Sequence, residues 1–173
     1  MKKLAIVGLM ALACFLAGCG SIVNQGTTAG GNWEATFAAG QPPVNTTLFN
    51  FETKFTVSSG GTLNVTSLNF LTTGPCFPVS GLGAIVGGTW DVTSLESDPV
   101  ATATVTYTVT GGGNALTLTG TATGVTNTVA QTTSWNSVTG TWTLTGTSAC
   151  TGAVSSPSGQ FTMCPNGLTC STT

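Results

Sequence analysis

Along much of this chain apolar residues fall at every second position, and the segments that keep this rule are separated by glycine and asparagine. From Leu48 to Ser58, Phe49, Phe51, Phe55 and Val57 share one parity, while Asn50, Glu52, Lys54 and Thr56 share the other. A period of two marks a strand with one buried face. Ser59-Gly60-Gly61 then reads as a turn. In Ala101 to Thr110 the alternation is cleanest: Ala101, Ala103, Val105, Tyr107 and Val109 interleave with Thr102, Thr104, Thr106, Thr108 and Thr110. Gly111-Gly112-Gly113-Asn114 ends that run. Ala115 to Gly124 places Leu116, Leu118, Gly120 and Ala122 inward against Thr117, Thr119, Thr121 and Thr123, and Val138 to Thr147 sets Val138, Trp142 and Leu144 against another threonine row. Shorter strands are expected at Trp33 to Ala39, Thr62 to Leu71, Ala84 to Thr93, Val129 to Trp135 and Gln160 to Met163.

The expectation is an all-β fold, an antiparallel meander of about eight or nine strands with no substantial helix after the leader. A closed or nearly closed barrel is preferred over a two-sheet sandwich. Glycines on the inward parity at Gly120, Gly124, Gly140 and Gly146 would let strands coil into a barrel, although a sandwich satisfies the same alternation.

Gly31-Asn32-Trp33, Gly88-Thr89-Trp90 and Gly140-Thr141-Trp142 share a Gly-x-Trp pattern, each followed by an acidic or threonine residue, an apolar residue and a threonine. Their spacings are too unequal for a solenoid or propeller repeat. The plain account is a bend at a strand start with a tryptophan filling core volume. Gly-x-Trp on the first strand also resembles lipocalins and avidin-type barrels, and that resemblance implies an eight-stranded up-and-down barrel able to hold one small ligand. On this reading Trp33, Trp90, Trp142 and Tyr107 are the candidate ligand-facing residues, and the ligand is a small apolar molecule or a sugar.

The first residues follow a different rule. Met1-Lys2-Lys3 is basic, and Leu4 to Leu16 is an uncharged apolar run of about 13 residues, the layout of a signal peptide and short of the roughly 20 needed to span a bilayer. Leu16-Ala17-Gly18-Cys19 resembles the bacterial lipobox. The resemblance implies cleavage before Cys19 and lipid, palmitate included, on that cysteine, with two or three acyl chains giving stable attachment to a membrane. Gly20 in place of aspartate implies an outer-membrane destination. An ordinary secretory signal, leaving Cys19 a plain thiol, is the competing reading. The expected organisation is a signal peptide at 1–18, a lipidated cysteine and Gly/Ser/Thr-rich tether at 19–31, and one all-β domain at 32–173.

Once Lys2 and Lys3 leave with the leader, Lys54 is the sole base against Glu34, Glu52, Asp91, Glu96 and Asp98, with no arginine and no histidine. One lysine cannot neutralise a phosphate backbone, so nucleic acid is excluded as a partner. Without histidine there is no Ser-His or Cys-His nucleophile pair. Asp91, Glu96 and Asp98 could act as paired carboxylates of a hydrolase or hold calcium, yet they surround an expected loop, Ser94 to Pro99, where acidic residues are ordinary. The glycines of Gly111 to Gly113 lack the Lys-Ser/Thr and helix that a phosphate cradle needs. The chain is therefore read as a non-enzyme without cofactor or metal.

Cys14 leaves with the leader and Cys19 takes lipid, so Cys76, Cys150, Cys164 and Cys170 remain, an even set that suits an oxidising compartment. Of the connectivities four cysteines allow, Cys164–Cys170 with Cys76–Cys150 is favoured; zinc would call for a Cys-x-x-Cys pair or histidine. Lipobox, Thr-rich strands, a mid-chain cysteine, and Cys150 followed by Gly159-Gln160-Phe161-Thr162 together resemble short bacterial lipoproteins of unassigned function. That resemblance implies export and disulfides and lends no activity. The function expected is a membrane-anchored, non-catalytic binding or structural module on the cell envelope. Ice binding through the threonine rows is the alternative, and a carboxylate-dependent hydrolase the remoter one.

Overall fold

The computed structural model describes residues 30–39, 44–72, 74–77, 85–94, 100–127, 129 and 132–165. The leader, Cys19, most of the tether, Glu96, Asp98 and Cys170 lie outside the described residues. Eight strands follow in chain order: β1 (Gly31–Ala39), β2 (Val44–Val57), β3 (Leu63–Phe70), β4 (Ile85–Ser94), β5 (Val100–Gly111), β6 (Asn114–Asn127), β7 (Thr132–Thr145) and β8 (Ser158–Pro165). A single helical turn, α1 (Ser148–Thr151), sits between β7 and β8.

The spatial order is β3-β2-β1-β8-β7-β6-β5-β4, and every hydrogen-bonded pair is antiparallel. Each strand thus lies beside its sequence neighbours, and β1 also meets β8. The ring is nearly closed, with its seam between β3 and β4. There the bridge Thr62 to Thr89 and the Trp90 N–H donating to the Gly61 carbonyl at 2.7 Å join the two edges. All-β class, meander and nearly closed barrel therefore hold, and the sandwich does not.

Val129 to Trp135 and Val138 to Thr147, expected as two strands, are one. β7 runs unbroken from Thr132 to Thr145, with Gly124 facing Trp135 and Thr123 facing Ser137. The extra residue, Asn136, is a β-bulge, which shifts the inward parity from Thr133 and Trp135 to Val138, Trp142 and Leu144. A parity change read along one strand looks like a strand break.

Inward side chains fill the barrel. Trp135 meets Trp90 edge-on at 5.2 Å, Trp90 meets Trp33 at 5.6 Å, and Trp33 stacks on Phe55 at 5.9 Å. The chain of rings continues through Tyr107, Phe51 and Phe37 to Phe49 and Trp142. Aromatic contact therefore runs the length of the interior, and Leu116, Leu118, Val105, Val109 and Met163 pack around it. The apolar parity faces in and the threonines face out, the reverse of a membrane barrel, whose apolar band faces lipid.

One end of the barrel is locked. Cys76, in the β3–β4 connection, is bonded to Cys150 in α1, and Phe77 stacks on Phe70 at 5.0 Å. Asn114 ties the same end together: its amide donates to the Cys76 carbonyl at 2.7 Å, and its side-chain oxygen accepts from the Thr147 N–H at 2.8 Å. Asn114 follows the β5–β6 turn, where Gly112 and Gly113 take φ of 60° and 79°, the two positive values of a type I′ hairpin that glycine adopts without strain. Of the expected bridges, Cys76–Cys150 is present. Cys164 is disulfide-bonded as well, while Cys170 falls outside the described residues.

Candidate functional site

The residues expected to face a ligand all lie in the interior. Trp33, Trp90, Trp142 and Tyr107 are each at most 1% exposed and touch one another or neighbouring rings. Tyr107 shares a 2.6 Å hydrogen bond with Thr53, which donates in turn to the Ser67 carbonyl at 3.0 Å. Burial pushes the Tyr107 phenol well above the ordinary tyrosine range, and the Thr53 bond acts against that shift. Thr53 stands on the apolar parity of β2, so its out-of-pattern position was the signal for a buried polar contact.

Trp142 does its work from beneath the wall. Its Nε1–H donates to the Ala38 carbonyl at 2.8 Å, reaching from β7 past β8 to β1. Gly159 makes this possible, since a Cβ there would meet the indole nitrogen at 2.8 Å. The Nε1–H groups of Trp90 and Trp135 are buried and have no hydrogen-bond partner among the described residues.

The outer wall carries the more regular feature. Thr106, Thr119, Thr141 and Gln160 lie directly opposite one another across β5, β6, β7 and β8. Thr104, Thr121, Thr139 and Thr162 form a second row, and Thr108, Thr117, Thr143 and Ser158 a third. At the β4 edge Thr89 and Asp91 extend the first two rows. Strand geometry sets the rows about 6.8 Å apart along the chain and about 4.8 Å apart across it. The hydroxyls of Thr104, Thr119, Thr121, Thr139 and Thr141 make no hydrogen bond to another described residue.

Where these rows reach β8 and β1 the wall is hollowed into a trough of about 350 Å³. Its sides are Thr139 and Thr162 on one row and Thr141 and Gln160 on the next; its floor is Ala38, Gly140 and Phe161. The hollow follows from side-chain size, because Ala38 stands opposite Gln160 where Thr36 stands opposite Thr162. Gly140 pairs with Gly120, so at that one position neither β6 nor β7 carries a side chain. Trp142 braces the same stretch of β1 from inside. No single segment announces this site, since its parts come from three strands that only the sheet brings together.

Of the carboxylates read around Ser94 to Pro99, Glu96 and Asp98 lie outside the described residues. Asp91 lies exposed on β4, apart from any described acidic cluster, whereas Glu34 and Glu52 face each other across β1 and β2 on the outer wall. Among the described residues no three His, Cys, Asp or Glu side chains gather as a metal site would need. No family model, curated protein or solved structure matches this chain.

Proposed function

We propose that this chain is an exported lipoprotein of the cell envelope, carried on lipid at Cys19, whose barrel is a non-catalytic module presenting its hydroxyl-covered wall. The observation that carries this reading is the wall itself: threonines in register on adjacent strands, uncharged over their centre, around an interior already occupied by its own rings. A barrel packed in this way offers its outside, not its lumen, for contact. The leader and Leu16-Ala17-Gly18-Cys19 supply the route, and a buried disulfide suits an oxidising compartment. Of the described titratable groups, Glu34 and Glu52 face each other on the outer wall with Lys54 on the same strand as Glu52, while Asp91 lies on β4 and Tyr107 in the core.

Metabolic labelling with an alkyne analogue of palmitate tests the anchor. Label should appear on the wild-type protein in the membrane fraction and vanish in Cys19→Ser; unlabelled wild-type protein would sink the proposal. The same threonine rows favour ice binding as a second reading. Against it, barrel strands rotate by about 20–25° from one to the next, which carries the rows out of a plane. A thermal-hysteresis measurement decides: a freezing-point gap would raise this reading above the first.

A further inference from the structure

We propose that the trough across β1, β8 and β7 binds a neutral oligosaccharide, held by Thr139, Thr141, Gln160 and Thr162. The proposal rests on the display reading above and names the ligand class the wall would take. Its volume, about 350 Å³, lies within the usual span of small-molecule sites, about 300–1,000 Å³. Three hydroxyls and one amide give both donors and acceptors, and none of the four side chains is engaged by another described residue. Such unspent groups, fixed on strands, suit a ligand covered in hydroxyls.

Charge narrows the class. Asp91 is three strands from Thr139 along its row, roughly 14 Å, and Glu34 is four residues from Ala38, roughly 13 Å. An anionic or cationic ligand would find no countercharge in the trough, so a neutral one is selected. Ala38 and Phe161 on the floor are buried and Gly140 has no side chain, so recognition falls to the four polar side chains around them. From Thr139 and Thr141 the free hydroxyls continue to Thr121 and Thr119, which lets a chain of sugars, and not only one ring, lie along the wall. The Trp142 bond to Ala38 holds β1 and β7 in place across β8, so the site is formed before the ligand arrives.

The test uses the full chain, ¹⁵N-labelled and solubilised in neutral detergent, titrated with maltohexaose, cellohexaose and chitohexaose. At least one should shift the backbone amides of Thr139, Gly140, Thr141, Gln160 and Thr162 at millimolar concentration. The double variant Thr141→Val/Gln160→Leu should bind at least about tenfold more weakly at an unchanged melting temperature. Thr162→Val, a single isosteric change, provides the same comparison if the double variant folds poorly. Failure of all three sugars to shift these amides overturns the proposal, as does equal binding by the variants or a preference for a sulfated oligosaccharide. Palmitate labelling at Cys19 is read separately: label without sugar binding rejects the trough alone, and binding without label rejects the anchor.

Discussion

Three of the four tryptophans provide a test of what an indole N–H contributes inside this barrel. In Trp142→Phe the ring stays largely in place but the donor to the Ala38 carbonyl is removed, and that bond is 2.8 Å long with both residues buried. Leaving a buried acceptor without its donor costs about 1–3 kcal/mol, and the lost ring volume adds a cavity cost of the order of 1 kcal/mol. Trp90→Phe and Trp135→Phe shed a similar volume, but their N–H groups have no partner among the described residues, so removing them relieves an unmet donor. Trp142→Phe should therefore be more destabilising than either by about 1–3 kcal/mol. At about 3–4 °C per kcal/mol for a domain of this size, the separation in melting temperature is about 3–12 °C. Urea unfolding followed by far-UV circular dichroism, in non-reducing buffer, measures it. Equal losses in all three variants, within about 0.5 kcal/mol, would refute the reasoning, because volume and not hydrogen bonding would then be the governing term.

Three further outcomes are expected. Cys76→Ala/Cys150→Ala opens a bridge spanning 74 residues, for which the loop-entropy model gives about 4.5 kcal/mol, so the melting temperature should fall by more than about 10 °C; a change under about 1 kcal/mol would contradict that model here. The Tyr107 phenol is held protonated in the fold, so native protein keeps a proton that the unfolded chain releases near pH 10. Its contribution is full below that value and is lost as pH rises towards the elevated folded value. Urea midpoints should thus decline above about pH 10, and Tyr107→Phe, which removes the one tyrosine of the chain, should flatten the decline; an identical slope in the variant would refute the assignment. Gly140→Ala should cost well over 1 kcal/mol, since its Cβ would press on the Thr119 carbonyl and the Gly120 Cα, whereas Gly87→Ala, with nothing within 4 Å, should be neutral within about 0.5 kcal/mol. Equal melting temperatures for these two variants would refute the packing argument.

Fold class was open to reading from the chain because it rests on local rules. A period of two, carried by Ala101 to Val109 against Thr102 to Thr110, fixes which side of each strand turns inward whatever its neighbours are, and a Gly-Gly-Gly-Asn stretch fixes where the hairpin turns. Counting leaves three pairings of four cysteines open, and the fold decides for the favoured Cys76–Cys150 bridge. Other features are properties of pairing between distant segments. The continuity of β7 depends on a bulge that only the facing β6 register reveals, and the partner of Thr53 is a tyrosine on another strand. Whether Trp33, Trp90 and Trp142 face a ligand or each other depends on how eight strands share one interior, a matter of summed volumes that no window of sequence contains. The trough has the same origin. Alternation sets Thr139, Gln160 and Ala38 on the outside of their strands, but strand order and register alone bring them to one place.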